Sequence, residues 1–174
     1  MSSTSLGRVG ASLGLTLLLG LAASGGVRAH GPQHHHGSAP AAAKKEQKPW
    51  GIAGDARAVS RTVDIAMGDD MRFKPDRIEV REGQTLRLVV RNRGQLLHEI
   101  VIGTRAELDT HAALMKKHPG MEHDEPYMAH VNPGQRGEIV WHFNRAGEFD
   151  FACLIPGHYE AGMVGRLVVR PARP

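Results

Sequence analysis

The chain contains 174 residues with a formal net charge of +4 at pH 7 and a single cysteine. This length suits one domain with its own hydrophobic core. The charge is small and evenly mixed, and the sequence contains no basic run interleaved with aromatics, no phosphate-binding glycine loop and no serine nucleophile motif. Nucleic-acid binding, phosphate-loop chemistry and serine hydrolysis are therefore poor candidates for its function.

The first 29 residues are typical of a cleaved export signal. Arg8 precedes the uncharged apolar run VGASLGLTLLLGLAA, which is too short to span a bilayer comfortably. Small residues in VRA, residues 27–29, suit a signal peptidase. We expect a periplasmic protein with no membrane span after cleavage; the alternative is a retained membrane anchor.

Residues 30–58 are predicted to form a disordered tail, because they are rich in Gly, Ala, Pro and charge and have little apolar surface to bury. Four of the eleven histidines lie in it: His30, His34, His35 and His36. Imidazoles bind copper and zinc well. The tail is therefore either a solvated segment or a weak metal-binding tract.

Residues 59–174 are predicted to form one all-β domain. Apolar and polar residues alternate in seven short segments separated by turn signals, which is typical of an antiparallel β-sandwich. These segments lie near residues 61–67, 77–81, 86–90, 98–102, 139–143, 149–153 and 167–169. One helix interrupts the series: Thr104 and Glu107 have the spacing of a capping box, and Leu108, Ala112 and Met115 share one face.

The single cysteine heads the stretch CLIPGHYEAGM of residues 153–163. In an oxidising compartment a lone Cys153 is a buried inert thiol, an intermolecular disulfide or a metal thiolate. Pro156 and two glycines allow the loop to fold His158 and Met163 back toward the sulfur. The start of a neighbouring strand supplies a second histidine, His98.

One thiolate, two imidazoles and a weak axial thioether are the ligands that redox-active copper favours. We therefore predict that His98, Cys153, His158 and Met163 bind one copper ion. Taken singly, each residue has an ordinary structural alternative: a small buried hydrophobe for the cysteine, a satisfied core histidine, or packing for the methionine. Zinc is disfavoured because a thioether is a poor zinc ligand, and a cysteine hydrolase would need an oxyanion hole that the sequence does not signal.

This order of ligands resembles that of the type 1 copper proteins, or cupredoxins. The segment RNRGQLLHEIVIG, with Asn92 before His98, is similar to the plastocyanin segment around the first ligand, and the spacing Cys-x4-His-x4-Met is similar to that of rusticyanin. The segments MGDDMRFKP, HEIVIGT, AALMKKHPGMEHDEPYM and FACLIPGHYEAGM resemble exported bacterial copper-tolerance cupredoxins. The resemblance implies a Greek-key sandwich, one type 1 copper and a redox role in copper handling.

A second group of residues could contact copper. MEHDEPYMAH repeats a Met-x-His unit, with Met121 and His123 followed by Met128 and His130. Thioethers select cuprous copper and imidazoles accept either oxidation state. The alternative is that these methionines pack the helix and its following loop against the sandwich. Met67 and Met71 could join the group if their strand runs beneath it.

The sequence thus favours a periplasmic copper-binding protein that transfers electrons and oxidises cuprous ion, rather than an enzyme that turns over an organic substrate. A dedicated respiratory electron carrier, a copper chaperone and a metal-free structural sandwich are the alternatives. The expected partners are copper ions and a redox or copper-handling protein of the periplasm, with no nucleic acid. We expect a monomer.

Overall fold

The computed structural model describes residues 45–119 and 123–173. Within these ranges the chain forms ten β-strands, one short 3-10 turn at Ala56–Ala58 and one α-helix, α1 (Arg105–Lys117). The strands are β1 (Ile52–Ala53), β2 (Arg61–Gly68), β3 (Arg72–Lys74), β4 (Arg77–Arg81), β5 (Gln84–Asn92), β6 (His98–Gly103), β7 (Met128–Val131), β8 (Arg136–Phe143), β9 (Gly147–Ala152) and β10 (Val164–Arg170).

The strands form two five-stranded sheets, with the orders β1-β8-β5-β2-β3 and β4-β10-β9-β6-β7. The predicted all-β sandwich with one inserted helix is confirmed. The expectation of purely antiparallel pairing is wrong at one pair in each sheet, because β2 runs parallel to β5 and β4 runs parallel to β10. Alternation of side chains cannot distinguish the two directions, since it is the same in parallel and antiparallel strands.

The main core lies between the two sheets. Every second residue of β5 and β8 points into it, which accounts for the period-2 pattern of the sequence. Its fully buried side chains include Leu86, Leu88, Ile139, Trp141 and Phe151. This packing holds two strand ends in place: the start of β6, which carries His98, and the end of β9, which directly precedes Cys153.

Helix α1 covers the outer face of the second sheet. Its capping box forms as predicted, with the Thr104 side chain accepting from the Glu107 N–H and the Glu107 side chain accepting from the Thr104 N–H. A second buried cluster joins the helix to the sheet through Val101, Leu108, Ala112, Met115, Met128, Ala152 and Leu154. As a result β6 is buried along both faces. Glu99 is therefore buried by neighbouring segments instead of facing solvent.

The predicted disordered tail is wrong for the part that the structure describes, residues 45–58. Trp50 is only 3% exposed and its backbone carbonyl accepts a hydrogen bond from the Trp141 indole at 3.0 Å. The ring of Trp50 packs edge-on to Tyr127, and β1 pairs with β8. Burial of one large aromatic offsets the entropy cost of ordering a polar segment. The predicted export signal and residues 30–44 lie outside the described residues.

In the two ranges that the structure describes, no helix has the length and apolar character needed to cross a membrane.

Candidate metal centre

The loop between β9 and β10 is held in a tight turn by its own backbone. The Cys153 N–H donates to the Met163 carbonyl at 3.1 Å, and the Met163 N–H donates to the His158 carbonyl at 3.1 Å. Gly157 adopts a φ of 91°, a conformation that favours glycine. These bonds fold the loop so that Cys153, His158 and Met163 belong to one short closed segment, as the spacing predicted.

Neighbouring elements brace this loop from outside. The Tyr159 hydroxyl donates to Asp109 of α1 at 2.6 Å, and Lys116 of α1 forms an ion pair with Glu160. The guanidinium of Arg72, on β3, donates to the Ala161 carbonyl at 2.9 Å. The loop is therefore fixed on two sides by elements that are distant in sequence.

The side chains of His98, Cys153 and His158 converge. One ligand atom from each lies within 4.8 Å of the other two. Cys153 Sγ lies 3.4 Å from His158 Nδ1, and the two imidazole ring centres are 4.9 Å apart. His98 is fully buried and His158 is half-buried, so the histidine on the strand is the more enclosed of the two.

The orientation of His98 suits a metal ligand. Its Nε2 lies 3.1 Å from Asp69 Oδ1, and its buried Nδ1 has no hydrogen-bond partner among the described residues. Hydrogen bonds lower the pKa of the Asp69 carboxyl below its usual value, and the bond from the Gln95 N–H has the largest effect. The carboxylate accepts the Nε2 proton, so the Nδ1 lone pair faces the cluster, as in carboxylate–histidine–metal arrangements.

Gly94 makes the approach of Asp69 possible. A Cβ atom at this position would lie 2.0 Å from Asp69 Oδ1, too close for any other residue. The Asp69 carboxylate also accepts from the N–H groups of Gln95 and Leu96, at 2.7 and 3.3 Å. It therefore fixes the loop that leads into His98 as well as the imidazole itself.

Cys153 is buried and its sulfur accepts the Glu99 N–H at 3.5 Å. Burial raises the pKa of the Cys153 thiol to about 12. Without a metal the sulfur keeps its proton and is a poor nucleophile, because the thiolate is the reactive form. The cysteine-hydrolase alternative loses its chemical basis, whereas a metal ion displaces that proton on binding.

Met163, the fourth predicted ligand, is fully buried in the core cluster that also contains Cys153. The residues of this site fit copper by their chemistry, since a thiol, two imidazoles and a thioether form the ligand set of type 1 copper. The His98 Nδ1, which lacks a hydrogen-bond partner among the described residues, supports that fit. A buried imidazole nitrogen normally has a partner.

The second predicted group is only partly gathered. His123 and His130 lie near each other, with ring centres 6.3 Å apart. Met128 and Met115 are buried in the helix-to-sheet cluster, and Met67 belongs to the main core, with Met71 packed against it. The packing alternative therefore accounts for these methionines. Met121, His30, His34, His35 and His36 lie outside the described residues.

Sequence reasoning missed three residues that shape this region: Asp69, Glu99 and His111. Asp69 contacts His98 across 29 positions of sequence, and no local pattern signals such a pair. Glu99 follows His98 on an alternating strand, which predicts an exposed side chain, yet it is only 1% exposed and its Oε1 accepts the Leu154 N–H at 2.8 Å. His111 lies one turn of helix from Leu108, a spacing that could have linked it to the covered face.

A β-sandwich that gathers one cysteine and two histidines in its interior defines a cupredoxin, a small copper-binding protein. Residues 59–170 match the family described as copper binding proteins, plastocyanin/azurin family. The chain belongs to this family, and copper is its cofactor. The predicted family, fold and cofactor are thereby confirmed.

Among curated proteins the chain is similar to the copper-resistant cuproprotein CopI of Rubrivivax gelatinosus, with 52% identity over 139 residues that cover 79% of this chain and 84% of that protein. It is also similar to the copper-resistant cuproprotein CopI of Pseudomonas aeruginosa, with 35% identity, 78% of this chain and 90% of that protein. Its fold is similar to that of the auracyanin of Roseiflexus castenholzii, with a TM-score of 0.56 and 24% identity over 65% of this chain and 99% of the other.

Proposed function

We propose that this chain is a periplasmic redox protein of the copper-tolerance type, with a mononuclear type 1 site formed by His98, Cys153, His158 and Met163. The observation that supports this most strongly is the buried convergence of one thiol and two imidazoles, with the His98 Nδ1 left open. Copper bound there supplies a one-electron couple. The chain's own residues hold the ligands in place before the metal arrives, through the Asp69 contact and the braced loop.

His158 is the electron port in this proposal. Its ring lines a surface cleft of about 610 Å³ together with Leu96 and Leu97, which are 47% and 43% exposed. His98, by contrast, is enclosed completely. Because electron transfer weakens with distance, a partner protein gains most by docking over the imidazole edge that reaches the surface.

The copper-tolerance role rests on the two relatives described above, both of which are named as copper-resistant cuproproteins. In this role the protein takes up copper and oxidises the cuprous ion, and the electron passes to a redox partner protein. The N-terminal pattern of an apolar run and VRA supports export to the periplasm. A chaperone would need rapid metal release, which a buried thiolate ligand opposes. A dedicated respiratory electron carrier would use the same four ligands.

The deciding experiment is the visible spectrum of the purified protein after addition of one equivalent of cupric ion. We expect a thiolate-to-copper charge-transfer band that is absent in Cys153→Ser. His142→Ala is the matched control, because this half-buried histidine lies on β8 in the other sheet and bonds Thr85. It should keep the band. A colourless complex of the unmodified protein would contradict the proposal.

A further inference from the structure

The backbone ladder between β6 and β9 ends next to the proposed copper ligands. Its last pair is Val101 with Ala152, and continuation of the register would place Glu99 opposite Leu154. Both N–H groups bond elsewhere instead. The Glu99 N–H donates to Cys153 Sγ at 3.5 Å, and the Leu154 N–H donates to Glu99 Oε1 at 2.8 Å. The Glu99 side chain therefore takes the place of the backbone ladder beside the sulfur.

Glu99 is a buried acid that needs partners. Alternation along β6 directs its side chain away from the face of His98 and toward the outer face of the sheet, where Val101 packs against α1. The residue is 1% exposed there. A carboxylate removed from water is costly unless its oxygens are hydrogen-bonded or paired with charge. The Leu154 N–H satisfies Oε1, so Oε2 requires a group from another element.

His130 of β7 supplies that group. It lies opposite Glu99 in the β6–β7 register, and its Nε2 is 2.8 Å from Glu99 Oε2. At this distance two lone pairs would repel each other, so Nε2 carries a proton that faces the carboxylate. The approach is bent, because Oε2 has no well-angled hydrogen bond within residues 45–119 and 123–173. Attraction between the proton and the carboxylate charge therefore dominates the contact.

We propose that His130 is a positioning residue for the type 1 site and acts through Glu99. The two side chains form what we call the His130–Glu99 bridge: the imidazole holds the carboxylate, the carboxylate holds the Leu154 N–H, and the Glu99 N–H bonds the Cys153 sulfur. This inference rests on the proposed function, because it treats Cys153 as a copper ligand. It gives His130 a role that requires no metal contact.

The bridge should raise the reduction potential of the site. Hydrogen bonding around the cysteine sulfur tunes that potential, because an N–H donor withdraws electron density that would otherwise favour the cupric state. Without His130 the Glu99 side chain is held at one oxygen only, and the backbone that bonds the sulfur is less firmly placed. The carboxylate charge also loses its nearest balancing group. Both changes favour the more positive cupric ion, so they lower the potential together.

Voltammetry of the copper-loaded full chain tests this consequence. His130→Ala should keep the copper and its charge-transfer band, and should shift the balance of oxidation states toward the cupric form by about tenfold. This is the scale of one hydrogen bond to a charged group, and for a one-electron couple it corresponds to ~59 mV. His111→Ala is the matched control, because this histidine of α1 packs against the His123 ring, with 4.7 Å between ring centres. It should leave the potential unchanged.

A double-mutant cycle shows whether His130 acts through Glu99. Glu99→Gln keeps a side-chain oxygen for the Leu154 N–H and removes the negative charge, so it should retain copper without lowering the potential. Residues that act as one unit give non-additive effects. His130→Ala should therefore lower the potential clearly less in the Glu99→Gln background than in the unmodified chain. Equal shifts in the two backgrounds would overturn the proposal, and so would an unchanged or higher potential in His130→Ala alone.

A measurement without metal separates this inference from the proposed function. Amide hydrogen exchange reports local opening of the chain. In the metal-free protein the Leu154 amide should exchange faster in His130→Ala and in Glu99→Ala than in the unmodified chain, and Glu99→Gln should restore its protection. Unchanged exchange in both alanine variants would overturn the bridge. Absence of the charge-transfer band from the unmodified protein would instead contradict the proposed function, whatever the exchange rates show.

Discussion

Met163 is fully buried beside Cys153 in the main core, and we predict that it tunes the metal more than it holds it. Met163→Leu should retain copper and raise the reduction potential, because a thioether donates electron density that favours the cupric state. Voltammetry of the two proteins measures the shift. Met67→Leu is the matched control, since Met67 is a buried methionine of the same core cluster and should leave the potential unchanged. Complete loss of copper from Met163→Leu would show that the thioether is a principal ligand.

Asp69 should determine how well the His98 imidazole is oriented to bind copper. Asp69→Ala removes the acceptor of the His98 Nε2 proton, so copper affinity should fall by about 10–100-fold, the usual cost of losing such a partner. Asp69→Asn keeps an oxygen at the same place and should restore most of the affinity. Competition with a chelator of known affinity gives the values. Equal losses in the two variants would assign Asp69 to loop stability instead of imidazole orientation.

The proposed copper ligands and the residues that orient them differ in how far the sequence reveals them. His98, Cys153 and His158 were predictable, because loop spacing and ligand chemistry restrict the choice, and the structure brings all three together. The contacts from Asp69 and Glu99 were not, since each arises where the fold joins segments that are far apart in the chain. Periodicity describes which face a residue occupies, and it carries no information about what later covers that face.

At the scale of secondary-structure elements, α1 depends on its N-terminal cap. Thr104→Ala removes the side chain that accepts the Glu107 N–H at 3.3 Å, and the free energy of unfolding of the metal-free protein should fall by about 1 kcal/mol. Urea unfolding measures this difference. Thr110→Ala is the control, because this exposed threonine lies in the middle of the helix and bonds only the Ala106 carbonyl. A loss as large for Thr110→Ala would mean that the cap has no special role.

The strands that escaped prediction share a position in the fold. β1 and β3 are the outer strands of one sheet and β7 is an outer strand of the other, and they have two, three and four residues. Such short segments cannot display a period of two convincingly. Short edge strands also limit unwanted pairing with other chains. The longer inner strands, by contrast, were all located by their alternation.

For the whole molecule, the histidines before residue 45 should add copper capacity. Deletion of residues 30–44 should remove weakly bound cupric ion without changing the type 1 band, and the affected binding should weaken as pH falls, because imidazole protonates near pH 6.5. Titration followed by electron paramagnetic resonance counts the ions. Equal stoichiometry and affinity in both proteins would make the tail a solvated segment and favour the dedicated electron carrier.

The end point of that deletion follows from the structure. A longer deletion, through residue 58, would also remove Trp50, which is buried against Tyr127 and bonded to Trp141. Loss of a buried aromatic of this size costs about 3 kcal/mol or more. A result obtained with the longer deletion would therefore mix lost metal binding with lost stability.

If Cys153 binds copper as proposed, the proton held by its buried thiol makes copper loading an exchange reaction. With a pKa of about 12, the metal-free sulfur is protonated throughout the physiological range, so each copper ion that binds there sends one proton into the solvent. Release of one proton raises the apparent affinity by about tenfold for each unit of rising pH. Loading is thus favoured in neutral surroundings and opposed in acidic ones, and the acidity of the compartment sets the copper concentration at which the protein fills.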